Sequence, residues 1–279
     1  MAMGISLARF AGSMAMLALG ASVHADIVTI PAIADAFVDS AQPANNYGGG
    51  GSLGVAAPGS PRGEFQALLR FPASSALGVF DDAFGPNRWR LASATLRLNA
   101  ALPVNMLFNP SSPGEFAVTW MSDDSWDEGS GTPASPGTTG ITFTSLPSFL
   151  SGPQEPLGVL TYAGETIGDT DYPLMTTTGF ASDIASGNLV SLRVSAVGTS
   201  VAYLFHSRSF GSGYEPRLVL TAVASCAVDF DHSGGVSVQD IFAFLNAWFA
   251  GTSGADFNAD GTTAVQDIFD FLNAWFVGC

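Results

Sequence analysis

The stretch "PRLVLTAVASCAVDFDHSGG", residues 216–235, divides the chain. Its first half, with Leu218, Val219, Leu220, Thr221 and Val223, has the composition of a strand. Its second half drops that composition for aspartate and glycine. No Pro- or Gly-rich linker intervenes, since "TAVAS" runs straight into Cys226. Two kinds of structure meet here, and each reads outward from this point.

Upstream, "ADAFVD", "FQALLRF", "SATLRLN", "EFAVTW", "LVSLRVSA", "SVAYLFH" and "PRLVLTA" are short segments of β-type composition between Gly, Pro, Ser and Asn stretches. The 32 Gly and 16 Pro favour many turns over long helices. The expected fold is mainly β: a jelly-roll-like β-sandwich over residues 26–225, then a small α-helical module over 226–279. The polar connection "DEGSGTPASPGTTG" from Asp127 is expected on one rim.

The hydrophobic share of 47% is enough for a sizeable core, and charged residues make up only 12%. Twenty-four acidic residues face nine arginines and no lysine, for a net charge of −15. Such a field repels phosphate backbones, which argues against nucleic acid as a partner and suits cations. Residues 1–25 read as an export signal: Arg9, the apolar "FAGSMAMLALGA", and small residues in "VHA" ending at Ala25. That run falls short of the roughly 20 apolar residues needed to span a bilayer. A secreted or cell-surface location is expected. The two cysteines, Cys226 and Cys279, bracket the last segment. In an exported chain they are expected to pair, two free thiols being the other reading.

Downstream, the loop is doubled. "DFDHSGGVSVQD" at 229–240 returns as "DFNADGTTAVQD" at 256–267, followed by "IFAFLNAWF" and "IFDFLNAWF". A calcium ion takes six to eight oxygens, and a twelve-residue loop supplies them from positions 1, 3, 5, 7, 9 and 12. Those positions are Asp229, Asp231, Ser233, Gly235, Ser237 and Asp240 in the first copy. In the second they are Asp256, Asn258, Asp260, Thr262, Ala264 and Asp267, with water standing in at Ala264. Position seven contributes its backbone carbonyl, and Gly234 and Gly261 occupy the sharp turn at position six. Two calcium ions are expected. Plain Asx-turns are the alternative, and magnesium suits such loops less well.

The segments after the loops have helical periodicity. Ile241, Leu245 and Trp248, repeated as Ile268, Leu272 and Trp275, form one stripe. Phe242 and Phe249, with Phe269 and Phe276, fall on an adjoining side. One stripe suffices for two helices to pack on each other, so the surplus calls for another surface, the sandwich or a different protein.

Aspartate at position twelve, two loop–helix repeats, the Cys before the first loop and the terminal "GC" resemble the GC-type dockerins of exported, planctomycete-like proteins. The likeness covers about the last 54 residues. It implies calcium-dependent folding and docking to a cohesin-like receptor through the helices and loop positions ten and eleven. Those positions are Val238 and Gln239, then Val265 and Gln266, with Phe242 and Phe269 beside them. The Val-Gln pair departs from the Ser/Thr pair of many cellulosomal dockerins. The likeness also implies that the module's ends lie together, within bonding reach of Cys226 and Cys279.

The order "ADAFVDSAQPANNYGGGGSLGV", "QALLRF", "SATLRL", "DDSWDE", "FHSRSFGSGYEPRLVLT" resembles a DNRLRE domain, a β-sandwich related to alginate-binding-type carbohydrate modules, over nearly all of residues 27–222. It implies polysaccharide or cell-surface binding. Candidate sugar contacts are Trp89, Trp126 and Tyr214 by stacking and Arg208 by pairing with uronate. Trp120, Arg70 and Arg97 sit at strand-like positions and read first as structural. Asp35, Asp39 and Asn46 read as turn residues or holders of a structural cation. Asp123, Asp124, Asp127 and Glu128 offer paired carboxylates for glycosidase-type chemistry, whereas His206 has no nucleophile elbow to serve. The leading expectation is a non-catalytic binding or structural protein tethered by its tail. The alternatives are a polysaccharide lyase or glycoside hydrolase with the same tether, and a tail that clasps its own sandwich.

Overall fold

The computed structural model describes residues 25–101, 108, 112–165, 167–231, 233, 235–258 and 260–278; the expected export signal, save Ala25, and Cys279 lie outside them. Among these residues eleven strands pair, all antiparallel. They are β1 (Ala25–Pro31), β2 (Ala34–Asp39), β3 (Ser52–Ala56), β4 (Phe65–Pro72), β5 (Trp89–Ala100) and β6 (Gly114–Met121). The rest are β7 (Gln154–Tyr162), β8 (Gly168–Leu174), β9 (Leu189–Ala196), β10 (Ala202–His206) and β11 (Arg217–Ala224). One ladder runs β1-β11-β5-β8 and another β2-β4-β9-β6-β7. The β10–β3 pair joins them through single contacts, Phe205 with Ala100 and Ala56 with Phe65.

The period-2 pattern explains why the ladders face each other. Leu96, Leu98, Leu218 and Leu220 of one ladder share a core with Leu69, Phe71, Phe116, Val118, Leu192 and Val194 of the other. Such a bent antiparallel sheet around one core is consistent with a β-sandwich. Two helices missing from the sequence reading also reach this core, α1 (Ser74–Phe84) and α3 (Thr178–Ser186), with a single turn α2 (Leu146–Phe149) between them in the chain. Each buries a pair spaced four apart, Ala76 with Phe80 and Phe180 with Ile184, the spacing that stacks side chains on one helical face. The strands at β1, β3, β7 and β8 were likewise not picked out from sequence.

The polar residues 127–140 of the connection after β6 stay largely exposed or half-buried. The connection's apolar residues Trp126, Ile141 and Leu146 fold down over the outer face of β2, β4 and β6 and pack on Ala34, Ala36, Val38, Leu68 and Met121. Its anchor is Asn46, which is fully buried. The Asn46 amide donates to the carbonyls of Glu128 (2.7 Å) and Ile141 (2.9 Å), and its oxygen accepts from the N–H groups of Gly48 and Gly131. The glycine run at 48–51 permits this approach, because a Cβ on Gly49 would stand 2.7 Å from the Ser130 carbonyl oxygen. Apolar and amide anchors outweigh the polar average of the loop.

The chain leaves β11 without a break, and Ser225 N–H still bonds to the Arg88 carbonyl at 2.8 Å. Beyond it come α4 (Val238–Phe249) and α5 (Val265–Val277), each preceded by one copy of the doubled loop. These residues have their own hydrophobic cluster, centred on Val228, Phe244, Ala255 and Phe271.

Replacing Asn46 by Ala is expected to leave four backbone groups short of a partner and to cost about 3 kcal/mol. The melting temperature falls, and limited proteolysis cuts first within residues 127–141.

Candidate metal centre and duplicated helix surface

In the first loop Asp229, Asp231 and Asp240 each bring a carboxylate oxygen within 4.8 Å of the others. Asp240 is the pivot. One of its oxygens accepts from Asp231 N–H (3.1 Å) and the other from Ser237 N–H (2.7 Å). The Ser237 hydroxyl in turn accepts from Gln239 N–H and caps α4. These backbone donors hold the Asp240 carboxyl below its ordinary range, so it stays charged beside two further aspartates. Three like charges this close repel one another, and a hard cation between them relieves that repulsion. The Ser233 hydroxyl stands 3.3 Å from the Gly235 carbonyl and 3.5 Å from Asp229, on the same loop. Positions four and six, His232 and Gly234, lie outside the described residues.

The second loop repeats the frame with different chemistry. Asp267 accepts from the N–H groups of Phe257, Asn258 and Ala264, and these donors lower its carboxyl in the same way. Gly261 at position six has φ +89°, the left-handed turn expected of it. Asn258 stands where the first loop has Asp231, so the equivalent positions offer two carboxylates and one amide. Asp260 accepts from Thr262 N–H and hydroxyl (2.9 and 2.7 Å), while Asp256 accepts from Asp260 and Gly261 N–H. Among the described residues the converging carboxylates are those of the first loop.

The two repeats grip each other symmetrically. Phe244 and Phe271 stack face to face, centroids 4.2 Å apart at 3°, with Phe230 and Phe257 edge-on at 5.3 and 5.4 Å. The Trp248 indole donates to the Ala264 carbonyl (2.8 Å), and the Trp275 indole donates to the Ser237 carbonyl (2.9 Å). Each helix therefore pins the entrance of the other. The periodicity of Ile241, Leu245 and Trp248 does not single out Phe244, which completes the i, i+3, i+4, i+7 stripe and is fully buried. The adjoining side stays bare in matching amounts: Phe242 and Phe269 are 56 and 57% exposed, and Phe249 and Phe276 are 78 and 77% exposed. Val238 and Val265 flank them, also exposed, and the Gln266 amide donates to Asp270. Cys226 is not a free thiol; its expected partner, Cys279, lies outside the described residues.

The sandwich candidates scatter. Trp126 is only 1% exposed, its indole bonded to Ser191 and its ring under the Arg70 guanidinium at 4.7 Å, so it offers no face to a sugar. Trp89 packs on Phe80 and donates to Asp81. Arg208 pairs with Glu128 at 2.9 Å. Tyr214 is exposed and meets Phe210 and His206 edge to face. Trp120 is buried on Asp183, and Arg97 forms a two-pronged pair with Asp171. Asp123 caps Ser125, and Glu128 also accepts from Asp35 N–H. Asp39 serves a turn through Ala41 N–H. His206 bonds Asn99 and stacks on Phe210, and burial lowers its imidazole. No helix among the described residues is long and apolar enough to cross a membrane.

No family model and no curated protein matches the chain. A solved structure of Mud crab tombus-like virus is similar over 80% of this chain and 92% of that chain, at 8% identity and a TM-score of 0.22, a score that supports no conclusion.

Burial pushes the Asp35 carboxyl up to about 7 and Asp124 up to about 6, both above the ordinary 3.8. The folded chain then holds more protons than the unfolded chain between those limits, so their contribution is full below roughly pH 4 and is lost as pH rises through 6 to 7. Thermal melts across this range are expected to show that decline. Asp35→Asn, whose oxygen still accepts from Arg208 N–H, flattens its upper part.

Proposed function

We propose that the chain is an exported, non-catalytic binding protein with two working parts. A jelly-roll sandwich related to DNRLRE modules meets a polysaccharide or cell surface. A dockerin-like tail, residues 226–279, folds around two calcium ions and offers a twinned apolar surface to a cohesin-like receptor. The matched exposure of Phe242 with Phe269 and of Phe249 with Phe276 is the observation that carries this reading. A tail built only to pack on itself has no reason to keep three apolar side chains (with Val238 and Val265 included) in solvent twice over.

The converging Asp229, Asp231 and Asp240 support the metal. Calcium fits better than magnesium, because flexible loops with carbonyl and hydroxyl ligands suit its longer, more variable bonds. A bridge from Cys226 to Cys279 would stabilise so small a module by up to about 4 kcal/mol. Among the described residues the tail's hydrophobic cluster includes no sandwich residue, which favours an outside partner over a clasp. Glu128 and Asp123 are engaged in structural bonds, which favours binding over lyase or hydrolase chemistry.

Calcium titrated into the chelator-treated full chain is expected to bind at two sites by calorimetry. At a hundredfold excess over Kd each occupied site adds about 2.7 kcal/mol to the stability of the tail. Asp231→Asn keeps the acceptor for Ser233 N–H and is expected to weaken one site about tenfold. No binding heat and no shift in melting temperature at millimolar calcium would overturn the proposal.

A further inference from the structure

A cleft of about 680 Å³ opens where the sheet bends from β3 into β4, among residues the sequence reading did not assign to sugar. Strand parity explains its position. Leu53 and Val55 point into the core, so Ser52 and Gly54 project from the other face. Their register partners His206 and Leu204 share that face. Phe37 and Asp39 from β2 and Phe65 from β4 close one side. Phe37 and Tyr47 stack in parallel at 4.6 Å, Phe65 tilts onto Phe37, and Phe108 continues the row. The polar groups are those of Asp39, Gln42, Asn45, Tyr47, Ser52 and Arg62. The Asn45 amide donates to the Tyr47 hydroxyl, whose own hydrogen remains to donate.

We infer that this cleft binds a segment of neutral polysaccharide, and that the chain continues over the ledge formed by His206, Phe210 and Tyr214. The inference rests on reading the sandwich as the glycan-binding part. The volume falls within the roughly 300–1,000 Å³ of built ligand sites, and apolar walls with few polar groups are their usual make-up. Phe37, Tyr47 and Phe65, each 6% exposed, form the buried aromatic floor of the cleft. The half-buried Phe108 is the ring left to meet the C–H face of a sugar, while the amides, hydroxyls, Asp39 and Arg62 meet its hydroxyl edges. One carboxylate and one guanidinium cancel locally, and the whole chain's −15 charge opposes an acidic polymer. The ligand is extended because the aromatic lining does not stop at the cleft. His206 lies directly across from Ser52 and stacks on Phe210 at 3.9 Å, and Phe210 and Tyr214 are 53 and 44% exposed.

Calorimetric titration of the full, calcium-loaded chain tests this, with hexasaccharides of β-linked glucose, xylose and mannose, and a hexauronate as the acidic arm. At least one neutral hexasaccharide is expected to bind. Arg62→Ala, at an exposed position, and Ser52→Phe, which fills the cleft, each weaken it about tenfold with melting temperature unchanged. Phe210→Ala weakens the hexasaccharide but not the disaccharide of the same sugar. Val159→Ser, on exposed β7, changes neither. Binding that all three cleft and ledge variants leave intact overturns the cleft while sparing the glycan reading. Failure of every probe overturns both, and uptake of the uronate alone overturns neutrality; none of these touches the calcium titration of the tail.

Discussion

Two carboxylates, Asp240 and Asp267, hold the last fifty residues in order. Each is fully buried, and each spans the gap between a loop's third residue and the N-cap of the helix that follows. A helix leaves its first N–H groups without internal partners, and these aspartates complete the frame around that end while closing the loop. Closure brings Asp229 and Asp231 onto Asp240. It also fixes the direction of the helix, and that direction sets Phe244 on Phe271 and each tryptophan on the opposite loop. Loop, helix and pairing are one mechanical unit. The charge that builds it is also the charge that asks for a cation.

The sandwich answers a different constraint. Its second ladder is apolar on both faces, so it cannot present an outer face to water. The connection after β6 supplies the cover, and the buried amide of Asn46 satisfies four backbone groups where that cover crosses the glycine run. The same cover removes Trp126 from any surface role. What remains open is the corner beside it, where β3 and β10 turn their other face outward between Pro133, Pro136 and the aromatic row.

A sandwich and a tail so different in construction are the basis of the proposal that the protein holds one thing while being held by another. The tail's hydrophobic residues cluster among themselves, and its bare faces occur twice because its sequence does. Among the described residues the sandwich's exposed aromatic side chains include Phe210 and Tyr214, on the ledge beside the cleft.

Sequence alone determined the elements whose causes are local. β-Type composition, alternating in several of the segments, marked β2, β4, β5, β6, β9, β10 and β11. The oxygen spacing named Asp229, Asp231 and Asp240, and helical period marked α4 and α5 with their exposed Phe242 and Phe269. These follow from neighbours within one turn or one strand. Only tertiary structure decided the rest. That Trp126 is covered, that Asp35 is pushed toward neutrality, and that Phe37, Tyr47, Phe65 and Phe108 form one row depend on residues far apart in the chain. Asp35 meets Glu128 and Arg208 across 93 and 173 positions. Long-range burial carries no period, so it leaves no pattern along the chain to read.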